Sequence, residues 1–179
     1  TVVRDAIAIL EQRGLVEART GSGVYVRDGG SDAVADVLGQ MLRRNAISLL
    51  ELMETRHLLE VHNARLAARQ AAAAHLEDMA EAIVRMEEAG SAQRFVEADV
   101  AFHEALAVAA GNRVLTAFLQ SLRPLLLHGM MIGTGVAGAR EAAVREHTAL
   151  LAAIRRGEGA AAKTAMAAHL RRGRLRQRH

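Results

Sequence analysis

No cysteine occurs among the 179 residues, which excludes disulfides and thiolate metal sites and leaves only nitrogen and oxygen as metal donors. Tryptophan is absent too, and one tyrosine with three phenylalanines brings aromatics to only 2% of the chain. The core must therefore be packed from Leu, Ala, Val, Ile and Met, and at 51% hydrophobic the chain can fill one well-cored domain and part of another. A single proline, Pro124, leaves long Ala/Leu/Glu/Arg runs uninterrupted and favours helix. No apolar run nears the roughly 20 residues of a membrane span and no signal peptide is visible, so a cytoplasmic protein without membrane contact is expected. A net charge of +3 suits nucleic acid without demanding it.

Residues 2–13 put Val3, Ile7 and Leu10 on one face of a predicted helix, and Gly14 stops it as a C′ glycine. Two strand-like runs, 15–19 and 24–27, flank the turn Thr20-Gly21-Ser22-Gly23. A helix running into a small hairpin is the back half of a winged helix-turn-helix. Because the chain starts at Thr1 inside that helix, it reads as a fragment whose N-terminus lies upstream. The expected organisation is a truncated DNA-reading domain over 1–27, a linker over 28–31 and an all-helical domain over 32–179.

In the helical part, predicted helices cover 32–45, 48–70, 75–89, 92–110, 113–131, 139–156 and 159–176. Ser48 and Glu51 form a capping box, Ser91 caps the fourth helix, and Pro124 breaks or kinks the fifth. The fold class is mostly α: an antiparallel bundle of six to seven helices preceded by a truncated winged helix-turn-helix.

Four polar residues sit inside the apolar stripes of these helices. With Phe95 at zero on a wheel of about 100° per residue, Asp99 falls near 40° and His103 near 80°, on the side of the helix that carries Phe102 near 340° and Leu106 near 20°. His147 falls between Leu151 and Ile154, and His169 beside Ala162, Ala165 and Met166. A carboxylate and three imidazoles turned inward from three helices are the donors a divalent cation needs, and Zn²⁺, Ni²⁺, Mn²⁺ or Fe²⁺ would fit. An Asp-x3-His pair is by itself more often a charge-assisted hydrogen bond, and His57, His62, His75 and His128 read as satisfied core histidines.

The run from Leu15 to Val26 resembles the recognition-helix-to-wing stretch of GntR-type bacterial transcription factors. Arg56-x3-Glu60, Ala67-Ala68-Arg69, Asp99-x2-Phe102-His103, Ala110-Gly111-Asn112, Glu146-His147 and His169-Leu170 resemble the FadR-like effector domain called FCD. The resemblance implies a dimeric, DNA-binding regulator whose bundle binds a divalent metal through an Asp and three His, here Asp99, His103, His147 and His169, with a small organic acid beside it. It implies that Thr1 and Arg4 read operator DNA from the recognition helix and that Thr20 and Gly21 touch it from the wing. Arg56 is the candidate cation for the acid effector, against a plain ion pair with Glu60; Asn112 is a candidate pocket residue, against a helix cap. The alternative function is a metal-dependent hydrolase or lyase using the same four residues, for which Glu104 and Glu146 make poor bases because each points about 100° away from its neighbouring ligand.

Overall fold

The computed structural model describes residues 2–12, 14, 16–26, 31–133 and 136–176. Helix α1 (Val2–Gln12) leads into an antiparallel hairpin of β1 (Val16–Arg19) and β2 (Gly23–Val26), in which Val16 pairs with Val26 and Arg19 with Gly23. Gly14 adopts φ +69°, the left-handed conformation that ends a helix most cheaply when no Cβ is present. The Glu11 carboxylate accepts the Ala18 N–H at 2.7 Å and ties the hairpin to α1. The apolar face read on α1 is largely uncovered: Val3 is 72% exposed, and no residue of the helix is buried.

Among the described residues seven helices follow: α2 (Ser31–Arg43), α3 (Leu49–Gln70), α4 (Ala73–Glu87), α5 (Ala92–Ala109), α6 (Arg113–Gly133), α7 (Ala139–Arg155) and α8 (Gly159–Arg176). Ser31, the last residue of the expected linker, is already the first of α2, and 28–30 lie outside the described residues. α2 ends at Arg43, and the turn that follows carries Asn45, whose φ of 55° is one that Asn tolerates better than most side chains. The capping box at the head of α3 is present: Ser48 Oγ accepts the Glu51 N–H, and Glu51 accepts the Ser48 N–H at 2.8 Å. Ser91 caps α5 through the Arg94 N–H.

α6 passes through Pro124 as a single helix, so the break that was one of the two expected outcomes does not occur. Pro124 is exposed, so the carbonyl one turn earlier that loses its donor can turn to water. The interior is built as the composition requires. Phe102, Met79, Leu106, Leu119, Leu126, Leu150 and Met166 are its largest fully buried apolar side chains, and Ala64, Ala67 and Ala162 let α3 and α8 approach closely. α3, α5, α7 and α8 meet around the middle of this core, and that meeting point carries the site.

Candidate metal centre

Asp99, His103, His147 and His169 come together. One donor atom from each lies within 4.8 Å of the others, and the four residues are between 0% and 5% exposed. The i, i+4 spacing on α5 sets His103 Nε2 3.6 Å from the Asp99 carboxylate. His147 Nε2 comes from α7 to 3.4 Å from Asp99 Oδ1 and 3.2 Å from His103 Nε2. The His169 ring stacks on that of His103 with centroids 5.3 Å apart. Phe102 closes the back of the site, its ring edge-on to His147 at 4.5 Å.

The other nitrogen of each ring decides the chemistry. His147 Nδ1 lies 2.7 Å from the Ala143 carbonyl oxygen, which can only accept, so the proton sits on Nδ1. His169 Nδ1 lies 2.7 Å from Glu146 Oε2, and His103 Nδ1 contacts the Glu60 carboxylate. The Ala143 carbonyl and the Glu146 carboxylate thus claim the Nδ1 protons of His147 and His169, which turns the Nε2 lone pairs of these two rings toward the cluster, while His103 Nδ1 stands against Glu60. Burial, reinforced by the neighbouring His169, pushes the His147 pKa down to about 3, against the opposing pull of Asp99. Burial also lowers that of His169. A bare lone pair on His103 Nε2 would face that of His147 at 3.2 Å, and the two would repel unless a cation lay between them. The separations of 3.2–3.6 Å suit donors each about 2.1 Å from one shared point. This donor set fits a divalent cation, and outer partners on every ring are the usual means of holding ligating histidines.

Glu60 is the centre's second carboxylate and is fully buried. Burial alone would raise its pKa, but the Arg56 guanidinium beside it leads the groups that outweigh this and hold it at about 2. Burial works against the charge on Asp99 too, and the lowering set against it needs positive charge at the cluster, which neutral imidazoles leave to a bound cation. Arg56 gives its Nε to Glu60 and places Nη1 3.2 Å from Met130 Sδ, while its buried Nη2 has no hydrogen-bond partner among the described residues. Arg56 thus forms the helix ion pair that the sequence offered. At the surface, Glu146 also accepts from Arg172 Nε at 2.5 Å, and Glu104 pairs with Arg123 at 2.8 Å, so both acids are engaged.

The remaining candidates lie elsewhere. Asn112 is exposed at the head of α6, where its Oδ1 accepts the Val114 and Leu115 N–H groups at 3.1 and 3.2 Å; it is a cap, away from the buried cluster. We expect Asn112→Ala to cost about 1 kcal/mol in chemical denaturation and to leave metal content unchanged. Arg4, Thr20 and Gly21 are exposed on α1 and the hairpin tip, where Gly21 has φ +75°; Thr1 lies outside the described residues. Of the four histidines expected in the core, His62 is exposed and His57 and His75 are half-buried, while the His128 side chain lies outside the described residues. Glu60, Glu146 and the Ala143 carbonyl were missed as outer partners, and the only available signal was their position next to, or one turn from, a candidate ligand or cation.

A helical bundle behind a helix and hairpin is also found among known transcriptional regulators. The FCD domain family matches residues 51–172. The chain is 33% identical to the HTH-type transcriptional regulator LutR of Bacillus subtilis, over 95% of this chain and 80% of that protein. It is 35% identical to the Uxu operon transcriptional regulator of Escherichia coli K12, over 95% of this chain and 69% of that one. Among solved structures, Streptococcus agalactiae GntR superposes with a TM-score of 0.71 at 22% identity, covering 99% of this chain and 81% of its own. A GntR family regulator from Pseudomonas syringae pv. tomato gives 0.59 at 19% identity, covering 97% and 67%. The chain belongs to the GntR family of transcriptional regulators, in the branch that carries an FCD domain. No helix among the described residues is long and apolar enough to cross a membrane.

Proposed function

We propose that this regulator senses a small carboxylic acid at a divalent metal held by Asp99, His103, His147 and His169, and that the acid alters its hold on operator DNA. The observation that carries this reading is the set of three buried imidazoles gathered with Asp99, the Nδ1 atoms of His147 and His169 engaged by acceptors and that of His103 set against Glu60. When bound, a Zn²⁺, Ni²⁺, Mn²⁺ or Fe²⁺ ion supplies a fixed positive charge and coordination positions open to an acid. Arg56 orients the carboxylate through its unspent Nη2, while Glu60 keeps the guanidinium from swinging away.

Residues 1–27 belong to the DNA-reading domain and 32–179 to the sensing domain. In a cytoplasmic homodimer, two copies of Arg4 reach base edges in successive major grooves, and Thr20 and Gly21 at the hairpin tips contact the backbone. Effector binding changes operator affinity to the extent that it favours one placement of the two domains. A hydrolytic or lyase role gains nothing from Glu104 or Glu146, since each is already tied to an arginine or a histidine.

Elemental analysis of protein from metal-replete medium tests the site; about one divalent ion per chain is expected. A thermal-shift panel of mono-, di- and tricarboxylates then tests the sensing role. Stoichiometrically empty protein overturns the metal reading, and a loaded protein stabilised by no acid overturns the effector reading.

A further inference from the structure

Asn63 is fully buried, yet neither its Oδ1 nor its Nδ2 has a hydrogen-bond partner among the described residues. A buried side-chain amide offers two donors and a carbonyl with two lone pairs, and leaving them unmet is costly enough that such groups call for an explanation. Its helical neighbours Ala64 and Ala67 are buried and apolar, so they offer the amide no side-chain partner. The place of Asn63 on α3 supplies the explanation. With Arg56 at zero on the wheel, Glu60 falls at about 40° and Asn63 at about 340°, so the three share one narrow inward arc. Asn63 stands about 4.5 Å of helical rise beyond Glu60, and side chains lean toward the N-terminus of their helix, which brings the amide back toward the level of Glu60. Glu60 contacts the candidate ligand His103 and holds Arg56, whose Nη2 is the other orphaned donor on this arc.

We propose that Asn63 is a specificity-determining residue of the sensing site, reading a hydroxyl group on the acid whose carboxylate Arg56 orients. This rests on the carboxylate reading given above. An asparagine amide turns an acceptor and a donor side by side, and a hydroxyl answers both with one oxygen. The ligand class is therefore a hydroxycarboxylic acid rather than its deoxy counterpart. A site built to bond a hydroxyl discriminates strongly against the analogue lacking it, because the site's own polar atoms are then left unpaired.

The test uses metal-loaded protein and two matched pairs, malate with succinate and 3-hydroxybutyrate with butyrate, titrated by calorimetry. The wild type should bind the hydroxy member of at least one pair ten-fold or more tightly than the deoxy member. Asn63→Leu, which is nearly isosteric, should cut that ratio below three-fold, with affinity for the deoxy acid and metal content unchanged. Asn63→Ser, which keeps a hydrogen-bonding group, should retain part of the preference and serves alone should the leucine variant fail to fold. An unchanged ratio in the variants, a loss of both members by the same factor, or no preference in the wild type overturns the assignment while leaving carboxylate sensing intact. Absence of binding by all four acids, and by every carboxylate of the wider panel, removes the sensing reading and this inference with it.

Discussion

Glu60→Ala is expected to destabilise the protein by about 3–5 kcal/mol, because it removes the only counter-charge among the described residues within contact of a buried guanidinium. Arg56 would keep Nη1 against a thioether and would leave Nε and Nη2 with nothing to meet. His103 would lose the acceptor that fixes its tautomer, so the same change should also weaken metal binding, by about 10–100-fold on the usual scale of such outer partners. In a chain of this size the stability loss corresponds to a fall in melting temperature of roughly 6–20 °C. The double variant Arg56→Met with Glu60→Leu should recover most of the stability and none of the effector response, since a buried ion pair is replaced by apolar groups at little cost. Urea denaturation of the two variants decides the matter: a loss under about 1 kcal/mol for the single change would show that water, not Glu60, serves the guanidinium.

The second large effect is expected at His147. His147→Ala should take metal content from about one ion per chain to below a tenth, because one of three nitrogen donors is lost from a site that has no cysteine to substitute. Chelator should lower the melting temperature of the wild type by roughly 5–10 °C, the effect of an ion present at about a hundred times its dissociation constant. The variant should not respond to chelator at all. A variant that still melts lower in chelator would place the ion elsewhere in the molecule.

What could be read from the residues alone was whatever repeats within one helix. The wheel of α5 places Asp99 and His103 among Phe95, Phe102 and Leu106, and the structure buries all five. The caps Ser48, Ser91 and Gly14 are local as well and were found where expected. The outer partners escaped because they depend on register between helices. Glu146 does point away from His147, as its wheel says, and that very direction carries it to His169 on α8. Glu60 meets His103 only because α3 and α5 lie side by side, a pairing further fixed where Gln70 bonds the Ala110 carbonyl. His62 was misjudged because α3 mixes polar and apolar residues around most of its girth, so its buried arc is blurred in the sequence.

The donors also have an order along the chain, two on α5, one on α7 and the last on α8. A polypeptide leaving the ribosome therefore lacks its fourth donor until α8 has emerged, and Asp99 must wait some seventy residues for His169. Capture of an ion during synthesis would then mark a completed bundle, and a chain released before residue 169 would hold it poorly and be open to quality-control proteases.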